Sequence, residues 1–227
     1  MEGRFPGGIR TVLTNCLDVS QDAAFNQWYD SIHLPDIIAS GLASHAIRYE
    51  NADPQSEEAT YLAVYEVHRN DLTQAGQEFH TLTGGLQQQG RMYRDVEIVR
   101  RIMWRRIGPA FATAKTGQGR VGGLFAVQSN CTDPQDEAAF NNWYDDMHIP
   151  DLLDTGLFCT AYRFVAVSPE PGRGRYLAIY ETKGEPLAAV DEFARTHRPR
   201  LKATGRLSEI IAVTWHGIYR RLTSFPT

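Results

Sequence analysis

The stretch Phe25-Asn26-Gln27-Trp28-Tyr29-Asp30-Ser31-Ile32-His33-Leu34-Pro35-Asp36 returns 115 residues later as Phe140-Asn141-Asn142-Trp143-Tyr144-Asp145-Asp146-Met147-His148-Ile149-Pro150-Asp151. From Phe25 to Leu42 against Phe140 to Leu157, ten of eighteen positions are identical. The offset holds outward from Asn15-Cys16 (Asn130-Cys131) to Tyr61 and Glu66 (Tyr176 and Glu181). It slips by one at Glu78-Phe79 against Glu192-Phe193, and is back in register at Arg105-Arg106 and Arg220-Arg221. Such a period exceeds the roughly 20–50 residues of solenoid repeats and reaches domain size. The chain therefore reads as two copies of one fold, 1–110 and 111–227.

Each copy gives the same series of elements. In the first, 10–18 reads as a strand, rich in β-branched and apolar residues. Ser20 can cap a helix starting near Gln21, with Asp22 in its first turn. Pro35 cannot sit in a helix interior without disturbing it, so the helix is expected to break or kink beside His33 before Gly41 closes it. Strands at 44–50 and 60–68, a helix at 72–88 and a closing strand at 95–105 complete the copy. The second copy repeats the series at 121–130, 136–154, 159–167, 175–183, 185–202 and 208–219. Residues 108–120, low in bulky side chains, read as a linker.

The order βαββαβ is the ferredoxin-like unit, an antiparallel sheet with helices on one face. Strands such as Tyr61-Leu62-Ala63-Val64-Tyr65 are apolar on both sides, which a sheet with one wet face is not. The second face must then be buried, and the other copy is the available cover. The fold class is α+β: two tandem ferredoxin-like repeats packed sheet to sheet as an intramolecular α+β barrel.

Composition narrows the function. The net charge of −4 and the absence of a basic face argue against a nucleic-acid partner. No 18-residue apolar run suggests a membrane span, and the first residues lack the apolar core of a secretory signal. Three cysteines without CxxC spacing read as free thiols, and the expected location is cytoplasmic. No metal-ligand motif occurs. Gly117-Gln118-Gly119-Arg120-Val121-Gly122 matches a dinucleotide-binding pattern, but it lies in the linker and leads into a strand rather than a helix.

The chemistry-bearing residues cluster in the repeated segment. Tyr29 and His33, like Tyr144 and His148, are four apart on one helix and share a face. A His beside a helix break suits general acid/base work; a partly buried His tying the helix to the sheet is the competing reading. Asp36 and Asp151 can each accept the imidazole Nδ1–H or bond amides of the following helical turn. Trp28 and Trp143 read as core anchors or pocket walls. Arg48 and Arg163 can pair with Glu66 and Glu181, or hold a substrate oxygen. His45 stands against Thr160, and Ser44 against Cys159, so the first copy has the richer His complement and is expected to dominate.

The segment Phe-Asn-x-Trp-Tyr-Asp-x-x-His-x-Pro-Asp, followed by Gly-Leu and then Arg48-Tyr49 or Arg163-Phe164, resembles the EthD-like branch of the dimeric α+β barrel superfamily over nearly the whole chain. The resemblance implies pockets between helices and sheet around His33 and His148. Reactions in that superfamily range over cofactor-free oxygenation, isomerisation, cyclisation, elimination, decarboxylation and haem chemistry, and fold does not choose among them. The expectation is a cofactor-free enzyme acting on a small, apolar, oxygenated molecule. His33 or His148 would serve as acid/base, with Tyr29 or Tyr144 assisting and Arg48 or Arg163 steadying negative charge. A non-catalytic binding module and an oxygenase remain open, as does haem, for which one His suffices. The assembly is expected to be a monomer with an internal pseudo-dimer, or a homodimer.

Overall fold

A computed structural model describes residues 1–226; Thr227, the last residue of the expected second repeat, lies outside the described residues. Strand β1 (Gly8–Cys16) leads to helix α1, which comprises Asp22–Trp28, a wide turn Tyr29–His33 and Leu34–Ala39. Strands β2 (His45–Asn51) and β3 (Tyr61–Val67), helix α2 (Leu72–Gln88) and strand β4 (Val96–Ala112) follow. The series then recurs. It runs β5 (Gly123–Cys131), α3 (Glu137–Trp143, Tyr144–His148, Ile149–Asp154), β6 (Thr160–Ala166), β7 (Tyr176–Thr182), α4 (Pro186–Glu192, Phe193–His197, Arg198–Ala203) and β8 (Ile211–Phe225).

The eight strands close into one antiparallel barrel in the order β1-β3-β2-β8-β5-β7-β6-β4. β4 and β8 make the closure. β4 pairs with β1 through Trp104↔Ile9, then runs on to pair with β6 through Ile107↔Arg163 and Phe111↔Ala161. β8 pairs with β5 and continues along β2 from Tyr219↔Asn51 to Phe225↔Ala46. The two sheets therefore face each other and are also joined at both edges. Gly108–Ala112, read from sequence as the start of a linker, belongs to β4: the register shifts between Ile107 and Phe111, and Phe111 and Ala112 pair with β6 beyond it.

Strand alternation sorts side chains between two environments. On β3, Leu62 and Val64 point into the barrel with Trp104, Tyr162, Leu177 and Tyr219. Tyr61, Ala63, Tyr65 and Val67 point outward, under α1 and α2. α3 and α4 cover the second half likewise, through Phe140, Tyr144, Leu152 and Phe193. Both faces of each sheet are thus apolar, as the strands require.

Of the break or kink expected beside His33, there is no break; the helix instead carries a widened turn. His33 and Leu34 keep right-handed helical dihedrals, and the Leu34 N–H reaches the Tyr29 carbonyl five residues back. The same i→i+5 closure occurs from Ile149 to Tyr144 and from Arg198 to Phe193. Each wide turn ends in a His-x-Pro: His33-Leu34-Pro35, His148-Ile149-Pro150, His197-Arg198-Pro199. A widened turn takes up a proline ring that a regular α turn would press against the carbonyl four residues back. α2 has no proline and no such turn.

The third wide turn also accounts for the slipped register. Pro186 meets Gly123 as Leu72 meets Gly8, an offset of 114 that Phe79 and Phe193 share. The loop before α4 is one residue short, and the extra residue of the Phe193–His197 turn restores the offset by Gly90 and Gly205.

Candidate functional site

The wide turn of α1 sets Tyr29 and His33 over the outer face of the first sheet. His33 stacks on Trp28, with ring centroids 4.9 Å apart, and meets Tyr29 edge-on at 4.9 Å. The Trp28 indole is fixed by Nε1–H donating to the Arg91 carbonyl at 2.8 Å. Tyr29 and Tyr65 hydroxyls lie 3.1 Å apart across the helix–sheet boundary. These side chains line a cavity of about 40 Å³ together with Arg10, Thr14 and Phe79. Its outer wall includes partly exposed Thr83, Met92 and Ile98, so it opens to solvent there. That volume holds a few water molecules; a larger guest must displace the rim.

Burial sets the protonation states. It pushes His33 down from its ordinary value to about 4, with Asp36 opposing and Arg48 adding to the shift. The imidazole is therefore neutral at neutral pH and free to accept a proton. Its Nδ1 is buried without a hydrogen-bond partner. Burial raises Tyr29 and lifts Tyr65 well above its ordinary value, so both phenols stay protonated and serve as donors. Arg10, 8% exposed, is brought down to about 10 by burial and then by the nearby Arg101.

His148 repeats the arrangement in the second half, stacked on Trp143 at 4.5 Å and edge-on to Tyr144 at 5.1 Å. Burial likewise takes it down to about 4, and its Nδ1 is unpartnered. The surroundings differ. Phe125 replaces Arg10 and stacks toward Tyr180, with centroids 6.1 Å apart. Phe158 replaces Ala43 and packs on both Tyr180 and Phe193. Two added rings occupy the ground around Tyr180 that borders the cavity in the first half.

Other candidates go elsewhere. Arg48 does not reach Glu66: it lies on the outer face, donates to Asp30 at 2.7 Å and to Asn26 at 2.6 Å, and sits 4.2 Å from the Tyr29 ring centroid. Arg163 repeats this with Asp145 and Asn141, each at 2.7 Å, and with Tyr144 at 4.5 Å. Neither arginine is free, so each props a tyrosine rather than facing the cavity. Glu66 and Glu181 point to the other face of the sheet. Glu66 takes Arg4, while Glu181 takes the Tyr162 hydroxyl at 2.9 Å.

Asp36 accepts neither His33 Nδ1–H nor an amide. It receives both arms of Arg91, at 2.8 and 2.7 Å, and Asp151 receives Arg206 at 2.7 and 2.6 Å. A bidentate guanidinium outcompetes a single neutral donor for a carboxylate. Arg91 and Arg206 keep the 115-residue offset, the sequence signal that would have found them. His45 is also misplaced by the sequence reading. It faces Glu66 at 3.9 Å, on the opposite side of β2 from Arg48, and takes no part in the His33 cavity.

The fold and site together define an α+β barrel with a small, mainly apolar pocket, carrying a few polar groups, on the outside of its first sheet. No protein-family model matches the chain. Among curated proteins, core atranone cluster protein 1 of Stachybotrys chlorohalonatus is 43% identical over 61 residues, 26% of each chain, so the similarity spans about a quarter of either protein. Solved structures match throughout. An anthrone oxidase-like protein aligns with TM-score 0.58 at 10% identity, covering 96% of this chain and 91% of its own. A DypB variant of Rhodococcus jostii RHA1 in complex with haem gives 0.60 at 11%, covering 97% and 94%. A chlorite dismutase mutant of Candidatus Nitrospira defluvii gives 0.54 at 10%, covering 96% and 92%. These neighbours are dimeric α+β barrel proteins, and at such identities they share the fold alone.

Haem does not fit around His33. The imidazole is stacked on Trp28 and edge-on to Tyr29, and a cavity of about 40 Å³ would have to open far more for a macrocycle than for a one- or two-ring guest that displaces the rim.

Proposed function

We propose that the chain is a small-molecule enzyme of the EthD-like branch, built as two fused repeats, 1–110 and 111–227, and working as one barrel. Its chemistry is proton transfer on a small, apolar, oxygenated substrate in the first-half cavity. The carrying observation is a neutral, buried His33 lining the same cavity as two tyrosine hydroxyls held protonated by burial. His33 takes a proton from carbon next to a carbonyl, and the Tyr29–Tyr65 pair donates to the oxygen on which negative charge gathers. Elimination, cyclisation and isomerisation each use such a step; decarboxylation reaches the same enolate by loss of CO₂, with the hydroxyls steadying the oxygen and a proton then returned to carbon. Trp28 and Arg48 position the two groups: one stacks on His33, the other underlies Tyr29.

A second reading keeps the same first step. The anthrone oxidase-like neighbour supports a route in which the carbanion formed by His33 is captured by O₂. Oxygen consumption separates the two. The likeness to the atranone cluster protein supports a small-molecule setting for either.

The test is exchange of the α-protons of 2-tetralone in D₂O, followed by proton NMR. The protein is expected to accelerate exchange, and His33→Ala to lose about 10²–10⁴ of that acceleration with the fold intact. Unchanged exchange in His33→Ala contradicts the assignment.

A further inference from the structure

The barrel buries three arginines on the outer faces of its sheets, and they are treated unequally. Arg48 and Arg163 each hold a carboxylate and a side-chain amide. Arg10, also more than nine-tenths buried, makes no ion pair and no side-chain hydrogen bond among the described residues and faces the cavity; its guanidinium lies 4.7 Å from the Phe79 ring centroid. A buried cation without an anion is costly, and native structures rarely keep one without a use. The same cavity wall holds two further polar atoms without partners, Thr14 Oγ1 and His33 Nδ1. At the matching place in the second half stands Phe125, so the fold does not need a cation there.

We infer that Arg10 is a substrate-recognition residue that binds an anionic oxygen, carboxylate or phenolate, on an otherwise apolar ligand in the first-half cavity. This rests on the proposed site but not on its chemistry, since anion binding needs no turnover. The guanidinium supplies the charge, Phe79 and Val12 the apolar surround, and the absence of a protein anion leaves the full interaction to the ligand. The ligand therefore enters with its anionic end toward β1. The Tyr29–Tyr65 hydroxyls then neighbour the atoms next to that group. The second pocket, carrying Phe125, rejects the same molecule because it offers no counter-charge.

The experiment is calorimetric titration of the full chain with benzoate and its neutral analogue benzamide, and with 4-nitrophenolate and 4-nitroanisole. Wild type is expected to prefer at least one anion over its neutral partner by about 10- to 100-fold; the preferred pair tells carboxylate from phenolate. Arg10→Met is expected to lose the preference and Arg10→Lys to recover part of it. Equal affinity of anion and neutral partner in wild type, including no binding of any probe, overturns the inference. So does a preference that survives Arg10→Met. Loss of proton exchange in the same samples bears only on the role of His33.

Discussion

Arg10 and Phe125 occupy the same place in the two halves: Arg10 pairs across β1 and β3 to Tyr65, and Phe125 across β5 and β7 to Tyr180. One position thus carries a cation beside an open cavity and the other a ring in a filled layer. Together with Ala43 against Phe158, this makes the two halves unequal although Tyr, His and Asp are shared. His45 faces away and does not distinguish the two sites; the structural difference between the halves lies in the packing around Tyr65 and Tyr180.

Filling the second pocket has an energetic signature. Phe158 is 1% exposed and touches Tyr180 and Phe193. Phe158→Ala, which copies Ala43, is expected to cost about 3–5 kcal/mol by removing a buried ring. Ala43→Gly, at the matching place in the first half, removes a single methyl group and should cost far less. Urea unfolding of both variants checks the contrast, and equal losses would show that the second pocket is as loosely packed as the first.

Arg48 is a prop, and its partner should be replaceable in kind. Asp30→Asn keeps an oxygen for the guanidinium and is expected to leave proton exchange near wild type. Asp30→Ala leaves a buried guanidinium with Asn26 alone. It should destabilise by about 2–3 kcal/mol, below the cost for a fully buried pair because the Asp30 side chain is 39% exposed. A large loss of exchange in Asp30→Asn with normal stability would place Arg48 in the chemistry instead.

Acid should weaken the fold through His33. Its folded value of about 4 lies below the ordinary 6.5, so between those values the unfolded chain holds a proton that the folded chain refuses. The stability contribution is intact above about pH 6.5, falls as pH drops toward 4, and amounts to at most about 3 kcal/mol. His33→Gln removes it. Comparing urea midpoints at pH 7 and pH 4.5, wild type should lose more than His33→Gln. Equal losses would mean that the imidazole titrates normally. The acid limb of kcat/KM should likewise lie near pH 4.

The repeat made the architecture legible, because apolar strands on both faces demand a cover and the chain supplies a second copy. Helix α2 matches its reading over 72–88. What sequence hid depends on pairing and parity. The wide turn at Tyr29–His33 keeps helical dihedrals and is marked in sequence only by His-x-Pro, which reads equally as a break. Gly108–Ala112 looks like linker because its partner strand is more than 45 residues away in the other half. His45 and Arg48 are three apart on one strand and so must face opposite sides, a parity argument available in the sequence. Arg10 carries no mark in the sequence, because the repeat signals what the copies share and this position is where they differ.

Whether proton transfer resides in the first-half cavity is decided by comparing His33→Ala with His148→Ala in the 2-tetralone exchange assay. A loss of about 10²–10⁴ is expected in His33→Ala, and near-wild-type exchange in His148→Ala. A larger loss at His148, or equal losses at both, would contradict that placement.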